Sequence, residues 1–205
     1  MPHTADTWGA DSDDRPALIQ RAGAYQVHYK GRRLYAGEDP AGQATRKAAS
    51  LDLPDDTLLF VASPLLGYGL ETLRSRLPES SHILCVEHDS LLSELARESP
   101  ILRRYSEDPS VTLVLDADLS SVRQAVARLG PARFRRVRLV SLSGGFSLYR
   151  DFYRSAQRAS ESLLRTHWQN KMTRIHMGWL WLRNLMDILP RMRDGRRIDE
   201  LHSEK

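Results

Sequence analysis

Residues 57–89 read TLLFVASPLLGYGLETLRSRLPESSHILCVEHD, and their pattern is the strongest indication of the fold. An apolar run, a turn with two glycines, a helical segment and a second apolar run follow one another. The acidic residue Glu87 stands at the end of the second run. This is the order in which a Rossmann-type βαβ unit builds a nucleotide pocket. The stretch therefore predicts both a fold and a candidate ligand site.

The same alternation of apolar runs and helical segments continues along the chain. The apolar runs are nearly continuous, which is typical of strands covered on both faces of a parallel sheet. We therefore predict an α/β protein with a Rossmann-like, mostly parallel sheet over residues 21–147. Strands are expected at 57–62, 82–87, 111–115 and 136–142, and helices at 69–77, 90–98 and 119–129.

Smaller elements are predicted before the sheet. The segment 24–35, AYQVHYKGRRLY, alternates around Lys30-Gly31 and indicates an N-terminal β-hairpin. Asp39-Pro40 is typical of a helix start, because the aspartate can cap free amide groups and proline suits the first turn. A short helix to about Ser50 is expected. Residues 1–20 are polar and rich in aspartate, and we predict a disordered tail there.

A long C-terminal helix is predicted over residues 148–190, as a connector or oligomerisation element. Its apolar residues recur at helical spacing, and one glycine, Gly178, interrupts the pattern. We expect one helix that ends at Pro190, or two helices joined near Gly178. Residues 191–205 form a charged tail.

The last third of this helix, GWLWLRNLMDIL, is apolar almost all round, as a buried helix would be. The charged tail that follows cannot cover it. We therefore predict an interface over residues 175–189, either with a second copy of the chain or with a catalytic domain that this chain lacks. The residues expected to carry the interface are Trp179, Leu180, Trp181, Leu182, Leu185 and Met186.

Composition limits the class of protein. Of the 205 residues, 41% are hydrophobic and 27% charged, as in ordinary soluble globular proteins. No apolar run is long enough to span a membrane, and the N-terminus has no apolar signal core. A cytoplasmic protein with no membrane association is expected, and the lone Cys85 fits a reducing compartment.

Charge is unevenly distributed along the chain. Residues 1–130 carry 14 basic and 19 acidic groups, whereas residues 131–205 carry 16 basic and 7 acidic groups. A basic half could attract phosphates, anionic sugars or nucleic acid. A solvated arginine face on the long helix is the simpler interpretation. Aromatic residues are not interleaved with the basic ones in a nucleic-acid motif, so a nucleic-acid partner is not expected.

The candidate ligand site begins at the glycine turn, SPLLGYG. Gly67 and Gly69 would let a ligand approach the backbone closely. The alternative, favoured by the bulky Leu65 and Leu66 in the same turn, is that the glycines serve the turn geometry alone.

Acidic residues at strand ends complete the candidate site. Glu87 follows the glycines by about twenty residues, the offset of the acid that binds ribose hydroxyls in dinucleotide sites. The alternative is a solvated acidic residue at the end of a strand. Asp116 ends the third strand, where an acid can meet an adenine edge, whereas Asp89 and Asp118 are more simply helix caps. The ligand would be a nucleotide sugar or S-adenosylmethionine. The turn 143–145, SGG, lies at the same edge of the sheet and either joins a site or is an exit turn.

Other catalytic patterns are missing from the sequence. The histidines show no HxH or HxxxH spacing, so no metal site is expected. Neither a GxSxG elbow nor a GxxxxGK[ST] loop occurs. No residue is therefore assigned a catalytic role.

Three motifs together resemble a known family. They are YKGRRLYAGEDPAGQATRKA at 29–48, LLFVASPLLGYGLETLRSRLP at 58–78 and ILCVEHD at 83–89. They resemble the N-terminal domain of the bacterial motility accessory factors, which are flagellin glycosyltransferase-like proteins linked to 6-hydroxymethylpterin diphosphokinase-like proteins. The resemblance covers about residues 24–190.

The resemblance implies an N-terminal accessory domain that binds or scaffolds, with flagellin as a partner of the whole protein. The family is expected to continue with a GPSL-type segment that opens the catalytic domain, and this chain has no such segment. The chain alone is therefore not expected to be catalytic. Two alternatives stay open: an S-adenosylmethionine-dependent methyltransferase-like protein, although SLSGGF lacks an acceptor-site motif, and a non-catalytic dimerisation module.

Overall fold

The structure is a computed structural model that describes residues 15–21 and 23–194, with the backbone alone at Arg21 and at 190–194. The chain divides into two compact units, residues 1–164 and residues 165–205, which are described separately. The strands are β1 (Ala17–Arg21), β2 (Ala24–Tyr29), β3 (Arg32–Arg33), β4 (Thr57–Ala62), β5 (His82–Val86), β6 (Val111–Val114) and β7 (Arg136–Val140). The α-helices are α1 (Pro40–Ala49), α2 (Leu70–Ser75), α3 (Ser90–Glu98), α4 (Pro100–Tyr105), α5 (Leu119–Leu129) and α6 (Arg150–Asp194).

A parallel sheet of four strands forms the centre of the first unit. The strand order is β6-β5-β4-β7, and every neighbouring pair is parallel. The chain moves outward from β4 through β5 to β6 and then returns to place β7 on the other side of β4. This order confirms the predicted Rossmann-like α/β fold. It also creates a switch point between β4 and β7, where open α/β sheets bind ligands at the carboxyl ends of their strands.

Alternate residues of β4 pack on opposite faces of the sheet. Leu59 and Val61 join an apolar cluster with side chains of α1, α2 and α4, whereas Leu58 and Phe60 join a cluster with α5 and the start of α6. Side chains alternate along a strand, so both sets are buried because helices cover both faces. The apolar core therefore lies on the two sides of the parallel sheet.

A second, antiparallel sheet has the order β1-β2-β3. Lys30 and Gly31 join β2 to β3 with φ angles of 49° and 66°, as a tight hairpin turn requires, and the predicted hairpin is confirmed. The prediction of a disordered tail is wrong at residues 17–20. These residues form β1 and pair with β2, beginning with Ala17 opposite His28. Residues 1–14 of the predicted tail lie outside the described residues.

Helix α6 is continuous from Arg150 to Asp194. Its backbone stays helical at Gly178 and continues past Pro190, so the predicted end at Pro190 is wrong. Proline removes one helical hydrogen bond and crowds the preceding turn, but the following residues can still extend the helix. Most of the predicted charged tail, from 195 onward, lies outside the described residues. Of the described helices, none combines the length and the apolar character that a membrane span requires.

Candidate functional site

The glycine turn after β4 is filled by the protein's own side chains. Leu65 is fully buried and Leu66 almost so, and both join a cluster with apolar residues of the hairpin. The hydroxyl of Tyr35 accepts a hydrogen bond of 3.1 Å from the backbone N–H of Leu66 and donates one of 3.3 Å to the carbonyl of Pro64. The space that a nucleotide would occupy in an open turn is therefore taken up by Tyr35, by other apolar side chains of the hairpin segment and by these leucines.

The two glycines of the turn bring elements of the protein close together. Both have φ angles of 80°, in the left-handed region that glycine tolerates. A Cβ atom on Gly69 would lie 2.7 Å from the carbonyl oxygen of Ala44, in α1. A Cβ atom on Gly67 would lie 2.9 Å from a methyl group of Ile101, in α4. These contacts support the alternative in which the glycines serve turn geometry and packing.

Glu87 is fully buried at the end of β5, and its carboxylate is surrounded by donors. The hydroxyl of Ser63 donates to Oε2 at 2.6 Å, and the hydroxyl of Tyr153 donates to Oε1 at 2.8 Å. The backbone N–H groups of His88 and Asp89 donate to Oε1 at 3.0 and 3.3 Å. In this arrangement Glu87 ties β4, β5 and α6 together, and its oxygens are not presented to a ribose.

Burial raises the pKa of Glu87 above its usual value, although the hydrogen bonds from Ser63, Tyr153 and two backbone amides act in the opposite direction. Desolvation disfavours the charged form of a carboxyl group, whereas donors stabilise it. The four donors are the reason that a carboxylate can be accommodated here at all.

Among the described residues, the carboxylates of Asp116 and Glu87 share no hydrogen-bonding partner. The carboxylate of Asp116 is exposed and forms an ion pair with Arg97 of α3, and its backbone N–H donates to Ser93 at 2.8 Å. The candidate residues Gly67, Gly69, Glu87 and Asp116 thus contact four different parts of the protein and are not brought together around one opening. The two simpler interpretations are confirmed: Asp89 caps α3 and Asp118 caps α5.

A second polar cluster, which the sequence did not reveal, surrounds Asp89. Its carboxylate accepts hydrogen bonds from the hydroxyls of Tyr29, at 3.0 Å, and Tyr149, and Lys30 lies 3.6 Å away. Burial acts to raise the pKa of Asp89, but the hydrogen bonds from Tyr149, the amide of Leu92 and Tyr29, together with Lys30, outweigh it, and the pKa is lowered. Burial and the bond to Asp89 raise the pKa of Tyr29 to about 12. This cluster joins the hairpin to α3 and to the segment before α6.

An open cavity of about 340 Å³ lies beside the switch point of the sheet. One wall comes from α1, a second from the segment that connects β3 to α1, and a third from Leu142, Ser143 and Gly144, which follow β7. The predicted turn at 143–145 therefore does border a cavity. The hydroxyl of Ser143 donates to the carbonyl of Ser63 at 2.7 Å, which holds this wall against the end of β4. The remaining lining residues are Arg33, Leu34, Tyr35, Ala36, Pro40, Gln43, Ala44 and Lys47.

A smaller cavity of about 140 Å³ shares Arg33 with the larger one and is also lined by Gln26, His28, Gly37 and Glu38. Gln26 is 3% exposed, and its Nε2 donates to the carbonyl of Gly37 at 3.3 Å. None of the four predicted ligand-binding residues lines either cavity. Within residues 15–21 and 23–194, no group of three or more His, Cys, Asp or Glu side chains is placed to hold a metal ion.

The second unit presents apolar side chains on the surface of α6. Six of them recur with alternating spacings of three and four residues, and each is between 47% and 68% exposed. We call this set the heptad stripe; it consists of Met172, Ile175, Trp179, Leu182, Met186 and Leu189. The predicted interface residues Trp179, Leu182 and Met186 lie on it, and Trp181 and Leu185 are exposed on an adjacent row. An a/d pattern of this kind is typical of helices that pair in coiled coils.

Comparison with known proteins adds one relative. No protein-family model matches the chain. A protein of Treponema pallidum (strain Nichols), named only as an uncharacterized protein, is 31% identical over 171 residues. The match covers 83% of this chain but 30% of the relative, so the chain spans less than a third of the length of the protein it matches. The relative's name states no activity, ligand or partner.

Proposed function

We propose that this chain is a non-catalytic binding and scaffolding domain of a glycosyltransferase-like protein of the motility accessory factor type, and that it associates with a second copy of itself through the heptad stripe. The observation that carries this proposal is the stripe itself. Its large apolar side chains are between 47% and 68% exposed and form three successive a/d pairs. Such a row is typical of a surface that another helix covers.

A second copy of the chain is the occupant that the pattern favours. A two-stranded coiled coil needs two helices that both carry a and d residues over the same length, and a second copy supplies an identical stripe. In an antiparallel pair centred between Leu180 and Trp181, each a residue lies level with a d residue of the other copy. Trp179 then faces Leu182, so that a large side chain meets a smaller one.

The scaffolding role is supported by the state of the glycine turn. Leu65 and Leu66 fill the turn, and Glu87 is enclosed by donors from its own chain. A pocket in this condition offers no open position for a nucleotide sugar or for S-adenosylmethionine, and no observation favours the methyltransferase alternative. The resemblance of residues 24–190 and the greater length of the Treponema relative support a role within a larger protein. The sugar substrate and a flagellin acceptor belong to the proposal for that whole protein.

The test is the mass of the chain in solution, measured by size-exclusion chromatography with light scattering. The chain of 23.4 kDa is expected to elute at twice this mass. A double substitution on the stripe, Ile175→Glu with Leu182→Glu, is expected to give the monomer, because four buried carboxylates would face one another in the dimer. The matched control, Thr173→Glu with Asn184→Glu, introduces the same charges away from the stripe and is expected to remain dimeric.

A wild-type chain that is monomeric at every concentration would contradict self-association. The stripe would then be expected to contact a different domain. Equal dissociation by the stripe variant and by the control would also contradict the proposal, since added charge rather than the loss of apolar contact would explain the result.

A further inference from the structure

The larger cavity in the first unit combines a favourable place in the fold with two cationic side chains in its lining. It lies beside the carboxyl ends of β4 and β7, at the switch point where ligands of open α/β sheets bind. Its lining contains two cationic side chains, Arg33 and Lys47, and no carboxylate. Neither feature was used in the function proposed above, in which the self-association rests on the second unit and the scaffolding role on the closed glycine turn.

The two cations have no anionic partner in the described part of the chain. No carboxylate oxygen there lies within 4.0 Å of the guanidinium of Arg33 or the ammonium of Lys47. The neighbouring Arg46 behaves differently, since it lies 3.5 Å from Asp39. Arg33 and Lys47 come from two separate elements and line one opening, and their charges create a local positive potential that attracts an anion.

We propose that this cavity binds a small molecule that carries a phosphate group, with the phosphate between Arg33 and Lys47. The fork of a guanidinium matches two phosphate oxygens, and a lysine ammonium is a common second partner of phosphate. Two cations without a lining acid favour a dianion over a single carboxylate. The side-chain amide of Gln43 adds a neutral donor at the same wall.

The size and the remaining lining define the rest of the ligand. A volume of about 340 Å³ is at the lower end of the range of roughly 300–1,000 Å³ that small-molecule sites occupy. The ligand is therefore a phosphate monoester of modest size and not a dinucleotide. Leu34, Pro40 and Leu142 offer apolar contact to its organic part.

The experiment is a titration of the full chain followed by two-dimensional amide NMR. Inorganic phosphate, glucose 6-phosphate and acetate are added separately at constant ionic strength. Saturable shifts are expected at the amides of Gln43, Ser143 and Gly144 with both phosphates, at lower concentration for glucose 6-phosphate because its organic part fills the cavity. Acetate is expected to bind more weakly than phosphate.

Two variants and one matched control assign the binding to the cavity. Arg33→Gln and Lys47→Gln are each expected to weaken phosphate binding about tenfold, the effect of losing one charge-assisted contact. Arg46→Gln removes the same charge from the adjacent position of α1, outside the cavity lining, and is expected to leave the affinity within about twofold of wild type.

Either of two results would overturn the proposal. The first is the absence of saturable shifts at these three amides with both phosphates. The second is equal weakening by Arg46→Gln and Lys47→Gln, which would show a general response to surface charge. The association test in the second unit does not depend on either result.

Discussion

The hydroxyl of Tyr153 donates a hydrogen bond of 2.8 Å to Oε1 of Glu87, and this bond joins the start of α6 to the end of β5 across 66 positions of sequence. Tyr153 and Glu87 are both fully buried, so each group bonds to the other in place of water. Leaving a buried charged group without one of its partners is more costly than the net worth of an ordinary hydrogen bond. The pair therefore contributes to holding the start of α6 on the sheet, together with the apolar contacts of that segment.

We expect Tyr153→Phe to lower the free energy of unfolding by about 1–3 kcal/mol, because it removes a donor from a buried carboxylate and keeps the ring in place. Urea denaturation followed by far-ultraviolet circular dichroism measures the change. Tyr25→Phe is the control, since the ring of Tyr25 is half exposed and its substitution should change stability by less than about 0.5 kcal/mol. Equal effects of the two substitutions would show that the Glu87 bond contributes little.

The raised pKa of Glu87 predicts a specific pH dependence. A group whose pKa is higher in the folded state contributes stability that is fully present below its usual pKa of 4.5 and is lost as the pH rises through the folded-state pKa. We therefore expect the stability advantage of the wild type over Glu87→Gln to be largest below pH 4.5 and to shrink towards neutral pH. Denaturation at several pH values tests this, and an advantage that grows with pH would contradict the raised pKa.

His82 is expected to change the stability of the protein with pH in the direction opposite to that of Glu87. It is buried beside Thr112, and burial, together with the charge of Arg133, lowers the pKa of its ring from 6.5 to about 4. Its contribution to stability is present above pH 6.5 and is lost as the pH falls towards 4, by up to about 3 kcal/mol.

The variant His82→Val should lack this loss between pH 6.5 and pH 4. His176→Val, which replaces an exposed histidine of the second unit, should keep it. Parallel stability curves for wild type and His82→Val in this range would show that His82 is not responsible.

The effect of the close approach at Gly69 on stability can be separated from the effect of its positive φ angle. Gly69 and Gly23 have φ angles of 80° and 79°, but a Cβ atom on Gly23 would meet nothing within 4 Å. Gly69→Ala should therefore destabilise the protein more than Gly23→Ala, by about 1–3 kcal/mol, because it adds a clash with the carbonyl of Ala44 to the same backbone strain. Thermal or urea denaturation of both variants gives the difference. Equal losses would mean that the strain at positive φ is the whole effect.

Cysteine cross-linking can determine the orientation of the proposed helix pair. Met172 and Leu189 lie about 26 Å apart along the helix at 1.5 Å per residue. The only native cysteine, Cys85, is fully buried and does not interfere. In an antiparallel pair, Leu189→Cys alone should give no disulfide-linked dimer, whereas Met172→Cys combined with Leu189→Cys should give one under mild oxidation. A linked dimer from Leu189→Cys alone would indicate the parallel arrangement, which stacks Trp179 on its own equivalent.

Most of the secondary structure followed from local patterns. The four strands of the parallel sheet and helices α1, α3 and α5 lie within two residues of their predicted bounds, because continuous apolar runs and aspartate caps are strong local features. Asp39, Asp89 and Asp118 each cap the helix that follows. Strand β1 was missed because its partner strand, and not its own polar surroundings, stabilises it.

The candidate site was harder to predict because its chemistry depends on distant residues. An acid at the position of Glu87 has the same offset whether it binds a ribose or anchors a helix, and only the position of Tyr153 in space distinguishes the two. The cavity at the switch point combines Arg33, Lys47 and Ser143, which are too far apart in sequence to form a motif. The bulky Leu65 and Leu66 were the one local indication that the turn is closed.

The division of aromatic residues between the two units has a practical consequence for spectroscopy. Trp168, Trp179 and Trp181 lie in the second unit, whereas all seven tyrosines lie in the first; the fourth tryptophan, Trp8, lies outside the described residues. Indole emission from the helix should therefore respond to pairing of the heptad stripe, and tyrosine absorption should respond to melting of the sheet. In a Trp8→Phe variant all indole emission comes from the second unit, so one sample can report association by tryptophan emission and unfolding by tyrosine absorption, without an attached dye.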